Sequence, residues 1–141
     1  DTIALMSQGR IIQHGAPDQL YLKPSSLAAA RLLGAVEAFD ARVINGRADT
    51  PLGAVDAPGL PAGASVKVLV RPEGVTLARA DADGALADLV SRRAAAGYAK
   101  LFCRLETGRE IEARASLADP LRPGDAVRLG LDPHFASVVE L

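Results

Sequence analysis

Tryptophan is absent from this 141-residue chain, and aromatic residues make up only 4% of it. A core without large rings has to be built from Ala, Val and Leu, and hydrophobic residues at 49% suffice to build one. Cysteine occurs once, as Cys103, so no internal disulfide can form, which fits a reducing compartment. Neither sign of charge dominates, and the net charge of −1 gives no electrostatic footprint for nucleic acid or an anionic membrane. Single-strand binders also need aromatics along a basic groove, and only Tyr21, Phe39, Tyr98, Phe102 and Phe135 are on offer. Long apolar runs are missing too: none approaches the roughly 18 residues of a membrane span, and the longest candidate is broken by Arg31. Asp1 and Thr2 are not the basic start of a secretory leader.

What is present reads as two textures. The stretches "IALM" and "RIIQH" flank a short linker containing Gly9, which predicts a hairpin. Pro17 suits the first position of a short helix, with Asp18 favourable beside its N-terminus, and Pro24 stops it. "SSLAAARLLG" starts again, with Ser25 or Ser26 as N-cap, Gly34 as the stop, and Ala28, Ala29, Leu32 and Leu33 as its apolar stripe. From about Val36 short alternating strands follow, cut by Gly and Pro. Asn45-Gly46 is a two-residue hairpin signal. "SVKVLVRP" puts Val66, Val68 and Val70 on one face and Lys67, Leu69 and Arg71 on the other. Residues 84–97 favour a helix by propensity, while their neighbourhood favours a strand, and strand is the reading taken.

The chain repeats itself. Leu60, Gly63, Val66, Val68, Val70 and Pro72 fall on Leu121, Gly124, Val127, Leu129, Leu131 and Pro133 at a constant offset of 61 residues. The hairpin at Gly46-Arg47 is matched to Gly108-Arg109 at an offset of 62. The expected fold is therefore mainly β: a small OB-like barrel of two pseudo-repeated halves, preceded by a β-hairpin and two short helices.

Candidate chemistry is sparse. His14 and His134 stand in no metal-ligand spacing, and Cys103, in the alternating "LFCRL", reads as a small buried filler. Arg71-Pro72-Glu73 is either a strand end with an exposed Arg–Glu pair or a site that orients an anion or a partner. Arg92-Arg93 is either a solvated face or an oxyanion contact. The phosphate-cradling pattern G-x-x-x-x-G-K-[ST] does not occur.

Asp1, Ile3, Met6, Gly9, Arg10, Ile11, Gln13, Gly15, Pro17, Leu20, Tyr21 and Pro24 resemble the stretch after the switch histidine in ATP-binding subunits of ABC importers. "VRPEGVTL" (Val70 to Leu77) resembles the R-P-E signature of the transport-associated OB-like domain that follows it in maltose-, sulfate- and iron-type importers. The resemblance implies a C-terminal fragment, with residues 1–34 the remnant of a nucleotide-binding domain and 35–141 the accessory domain. It implies a non-catalytic, regulatory and dimerising role, with Arg71, Pro72 and Glu73 as family structural residues. The fragment itself would need no cofactor, ATP and Mg belonging to the full-length parent. The implied partners are a second copy and, through the parent, membrane permease subunits, at the cytoplasmic side of the inner membrane. "GRADTPLGAV" (Gly46 to Val55) resembles ferric-iron-type relatives and points to iron(III). A free-standing oxyanion sensor is the alternative. As a remnant, the first hairpin is expected to be frayed or docked on a neighbouring chain.

Overall fold

A computed structural model describes all residues, 1–141. Two strands, β1 (Ile3–Ser7) and β2 (Arg10–Gly15), form the opening hairpin, with a bulge between Leu5 and Met6. Two six-residue helices follow: α1 (Pro17–Leu22), with Pro17 at its first turn, and α2 (Leu27–Leu32), whose N-cap Ser26 accepts a hydrogen bond from the Ala29 amide at 3.1 Å. Then come β3 (Glu37–Ile44), β4 (Arg47–Thr50), β5 (Gly53–Asp56) and β6 (Ser65–Val70). A 3-10 turn at Pro72–Gly74 leads into β7 (Val75–Arg79). The chain continues through β8 (Ala85–Ala94), β9 (Ala99–Leu105), β10 (Glu110–Ala115) and β11 (Ala126–Leu131). A second 3-10 turn at Pro133–Phe135 leads into β12 (Ala136–Glu140). The expected mainly β, OB-like architecture with a leading hairpin and two short helices is observed, and residues 84–97 hold a strand.

The chain forms two compact units. The first comprises Asp1–Thr50, Ala54–Arg71 and Pro133–Leu141, and the second Pro51–Gly53 and Pro72–Asp132. Residues 1–34 thus lie in the first unit with its five-stranded sheet.

In the first unit the strand order is β12-β6-β3-β4-β5, and in the second it is β7-β11-β8-β9-β10. These are the same order, strand for strand, and the reason is visible in the sequence. The strand–turn–strand block 65–79 recurs at 126–140 with the 61-residue offset, proline opening the 3-10 turn in both copies. The second strand of each block joins the other block's sheet: β6 pairs with β12, Val70 opposite Ala136, and β11 pairs with β7, Leu131 opposite Val75. Even the flanking backbone bonds repeat, Arg71 N–H donating to Phe135 O at 3.0 Å and Asp132 N–H to Gly74 O at 2.8 Å.

One part of the repeat assignment is corrected. Strand order makes β3 equivalent to β8 and β4 to β9. The Asn45-Gly46 hairpin therefore corresponds to the β8–β9 connection, not to the turn at Gly108-Arg109. Turn chemistry repeats wherever a chain must reverse, so it misleads about which strands are related. Asn45-Gly46 does have the positive φ values, 51° and 73°, of the turn that joins twisted strands most easily.

Each unit has its own core. In the first, Phe39, Val43, Val66, Val68 and Val70 are at most 3% exposed; in the second, Leu89, Leu101, Cys103, Ile111, Val127 and Leu129 are at most 1% exposed. The first unit buries a second layer as well. Leu69, on the face of β6 opposite the valines, is also buried, because α2 lies against that strand.

Two further corrections concern the N-terminal segment. The hairpin is seated on its own chain, with Leu5, Leu20 and Ala29 forming a buried cluster against which Ile12 and Leu33 pack. The stripe of α2 is shifted by one position on one side: Ala29 and Ala30 are buried, whereas Ala28 and Leu32 face solvent. A helix of barely two turns presents too few residues for periodicity to fix its inner face.

Candidate functional site

The R-P-E segment marks where the first unit passes into the second, since Arg71 ends a segment of one and Pro72 begins the other. Arg71 is 2% exposed, the only charged residue among the buried ones. The exposed Arg–Glu pair considered from the sequence is therefore not what forms. Alternation along β6 dictates the position: Val70 points into the sheet's core, so Arg71 points out, toward the helices. Its Nε donates to Tyr21 O at 3.2 Å. Its Nη1 lies 3.0 Å from Ala30 O, 3.3 Å from Gly34 O and 3.1 Å from Ala35 O. Two hydrogens on Nη1 are thus shared among three carbonyls, one in the last turn of α2 and two just beyond it. Carbonyls at a helix end lack internal donors, and a cation placed there is favoured. The guanidinium also lies over the Tyr21 ring, 4.2 Å from its centroid.

Pro72 is buried and opens the 3-10 turn. Glu73 is in the second unit, where its Oε1 accepts from Arg114 Nη1 at 3.1 Å. Arg114 also faces Glu112, Nε to Oε2 at 3.5 Å, and sits 4.6 Å from the Tyr98 ring centroid. These side chains are a quarter to a third exposed on Arg114 and Glu73 and less on Glu112, so this network is half-buried rather than sealed.

Arg92 and Arg93 do not converge on one position. Arg92 donates from Nη1 to Leu121 O and from Nη2 to Leu117 O, both at 3.0 Å, and so ties β8 to the segment before β11. Arg93 lies over the Phe102 ring at 6.0 Å. Neighbouring residues of a strand point to opposite faces, which separates the two guanidiniums.

Cys103 is fully buried in the second unit's core. Burial pushes its thiol up to about 11 from the ordinary 9.0, because the low-dielectric interior disfavours the thiolate. It is filler, as the sequence suggested. The folded chain is accordingly expected to resist a thiol-specific reagent at pH 8 and to react fully once denatured, read as absorbance of the released chromophore. The sign also fixes a pH effect: the unfolded thiol loses its proton first, so stability falls as pH rises from 9 toward 11. No group of three or more His, Cys, Asp or Glu is placed to hold a metal ion.

Sequence reasoning found Arg71, Pro72 and Glu73 but not their partners. Tyr21 and Arg114 lie 50 and 41 residues from the residues they meet, and no local pattern signals such pairings.

A fold of this kind, mainly β with two repeated sheets, belongs to the OB-like class. A model of the TOBE domain matches residues 68–139, and the chain belongs to that family. Its relatives include the Fe(3+) ions import ATP-binding protein FbpC of Streptomyces avermitilis, 34% identical over 94% of this chain and 38% of the relative. The protein of the same name from Streptomyces coelicolor is 32% identical over 100% of this chain and 40% of the relative. The chain therefore spans about two fifths of the length of these relatives. Among solved structures, the cytoplasmic molybdate-binding protein ModG superposes with a TM-score of 0.56 over 72% of this chain and 94% of ModG. At 17% identity the likeness is one of fold. No helix of the chain is long and apolar enough to cross a membrane.

Proposed function

We propose that this chain is the non-catalytic accessory part of an ABC importer's ATP-binding subunit, serving iron(III) import, and that it pairs with a second copy of itself. The observation that carries the reading is similarity over the whole chain, helices included, to proteins named for Fe(3+) import. A cytoplasmic position beside permease subunits at the inner membrane follows from the same reading. The physical logic is effective concentration: two ATP-binding subunits tethered by their accessory domains can part after hydrolysis without being lost to each other. On this reading ATP and Mg would be held by the parent's other residues, in keeping with the absence of the pattern G-x-x-x-x-G-K-[ST] from this sequence. Residues 1–34 are read as the end of the nucleotide-binding domain and 35–141 as the accessory domain. Arg71, Pro72 and Glu73 serve as its structural signature.

A second reading, an oxyanion sensor, draws on the fold shared with a molybdate-binding protein. Arg92 argues against it, because both its terminal nitrogens donate to backbone carbonyls. Titration calorimetry separates the readings. The accessory-domain reading expects no heat with ATP, molybdate, sulfate or phosphate at tens of micromolar protein. Saturable heat with one oxyanion would replace it with the sensor; saturable heat with ATP would contradict the non-catalytic assignment.

A further inference from the structure

We propose that Arg71 is a latch that makes the order of residues 17–35 and the end of β6 a single cooperative event. The inference goes beyond the accessory-domain reading and does not depend on it. Two pieces of chain, the end of α1 and the stretch from the last turn of α2 to its exit, meet at this one guanidinium. The end of α1 supplies the Tyr21 carbonyl and ring, the last turn of α2 supplies Ala30 O, and the exit from α2 supplies Gly34 O and Ala35 O. Besides this guanidinium, the helices are held by the small cluster of Leu5, Leu20 and Ala29 and by the Gln13 side chain, which donates to Lys23 O at 3.1 Å and accepts from Ser25 N–H at 2.9 Å. Each helix is six residues long, far below the length at which a helix persists by itself. The end of α1 has no basic residue in its last turn, and Arg31 of α2 is exposed to solvent.

While the side chain of Arg71 holds the helix ends, its backbone holds the sheet. Its N–H donates to Phe135 O at 3.0 Å, continuing the β6–β12 ladder by one bond. A shift at the helix ends therefore reaches the ladder through one residue, and loosening of the ladder frees the helices. Charge-assisted hydrogen bonds from a planar, delocalised cation suit this role: they are directional, and the fork engages several acceptors at once. Lysine offers neither the plane that lies on Tyr21 nor the fork.

Hydrogen exchange on the full chain tests the latch. In Arg71→Met, amides of residues 18–35 are expected to exchange about ten- to hundredfold faster than in the parent, while those of β3 and β4 stay within about threefold. Arg71→Lys should accelerate the same segment, because charge alone does not rebuild the fork. Tyr21→Leu, which keeps the backbone carbonyl but removes the ring, should give a smaller acceleration in the same segment. Parent-like exchange of residues 18–35 in Arg71→Met overturns the latch, and so does acceleration spread evenly over the whole chain. If Arg71→Met does not fold, Tyr21→Leu decides: parent-like exchange of that segment overturns the proposal.

Discussion

Val68→Asp and Leu129→Asp should each lower the melting temperature of the sheet that holds the substitution by roughly 10–30 °C. The two positions are related by the 61-residue offset, and both side chains are 0% exposed. Their partners across matching ladders are equivalent to one another, Val68 standing opposite Val138 and Leu129 opposite Leu77. An unpaired carboxylate in such a place costs several kcal/mol, roughly 3–5, against a total stability of about 5–15 kcal/mol for a typical domain. Circular dichroism on heating reads the outcome. A variant melting within a few degrees of the parent would mean that its side chain can turn to solvent, and the repeat register would be wrong at that position.

Leu20→Ala should have the next largest effect, and a local one. Leu20 is 1% exposed and joins Leu5 and Ala29 in a cluster of only three buried residues. Removing a buried leucine side chain costs about 2–5 kcal/mol, and a small cluster has few neighbours to close the cavity. The two sheets have their own cores and should remain folded. Limited proteolysis is expected to cut the variant within the first 35 residues while a β-rich product resists. Parent-like resistance throughout would show that the segment is held mainly by Arg71 and not by its apolar cluster.

These expectations also mark what could be read without coordinates. The 61-residue repeat was legible because a strand, a proline turn and a second strand impose the same two-residue alternation wherever they occur, so Val66, Val68 and Val70 announce Val127, Leu129 and Leu131. The exchange of second strands between sheets was not legible, since pairing Val70 with Ala136 spans 66 residues and leaves no local trace. Matching the turn at Gly46 with that at Gly108 failed for the same reason: a turn reports reversal, not strand ancestry. Residues 84–97 show context overruling propensity, their leucines lying in a strand whose neighbours on both sides are strands. At the site, the R-P-E signature directed attention to Arg71, and alternation along β6 set its direction. Its four carbonyl partners belong to residues 36 to 50 positions away, and only the folded chain brings them together.

Self-association is the part of the functional account most open to direct trial. Exposed apolar residues on the N-terminal segment, Met6, Ile11 and Leu32 at 57%, 60% and 52%, offer a competing contact that would not be the accessory domain's own. Sedimentation equilibrium should therefore compare the full chain with a Met6→Ser, Ile11→Ser, Leu32→Ser variant, whose exposed substitutions leave both cores intact. The account predicts a dimer in both at tens of micromolar. A parent that is monomeric, or a variant that alone becomes monomeric, would contradict pairing through the β-domain.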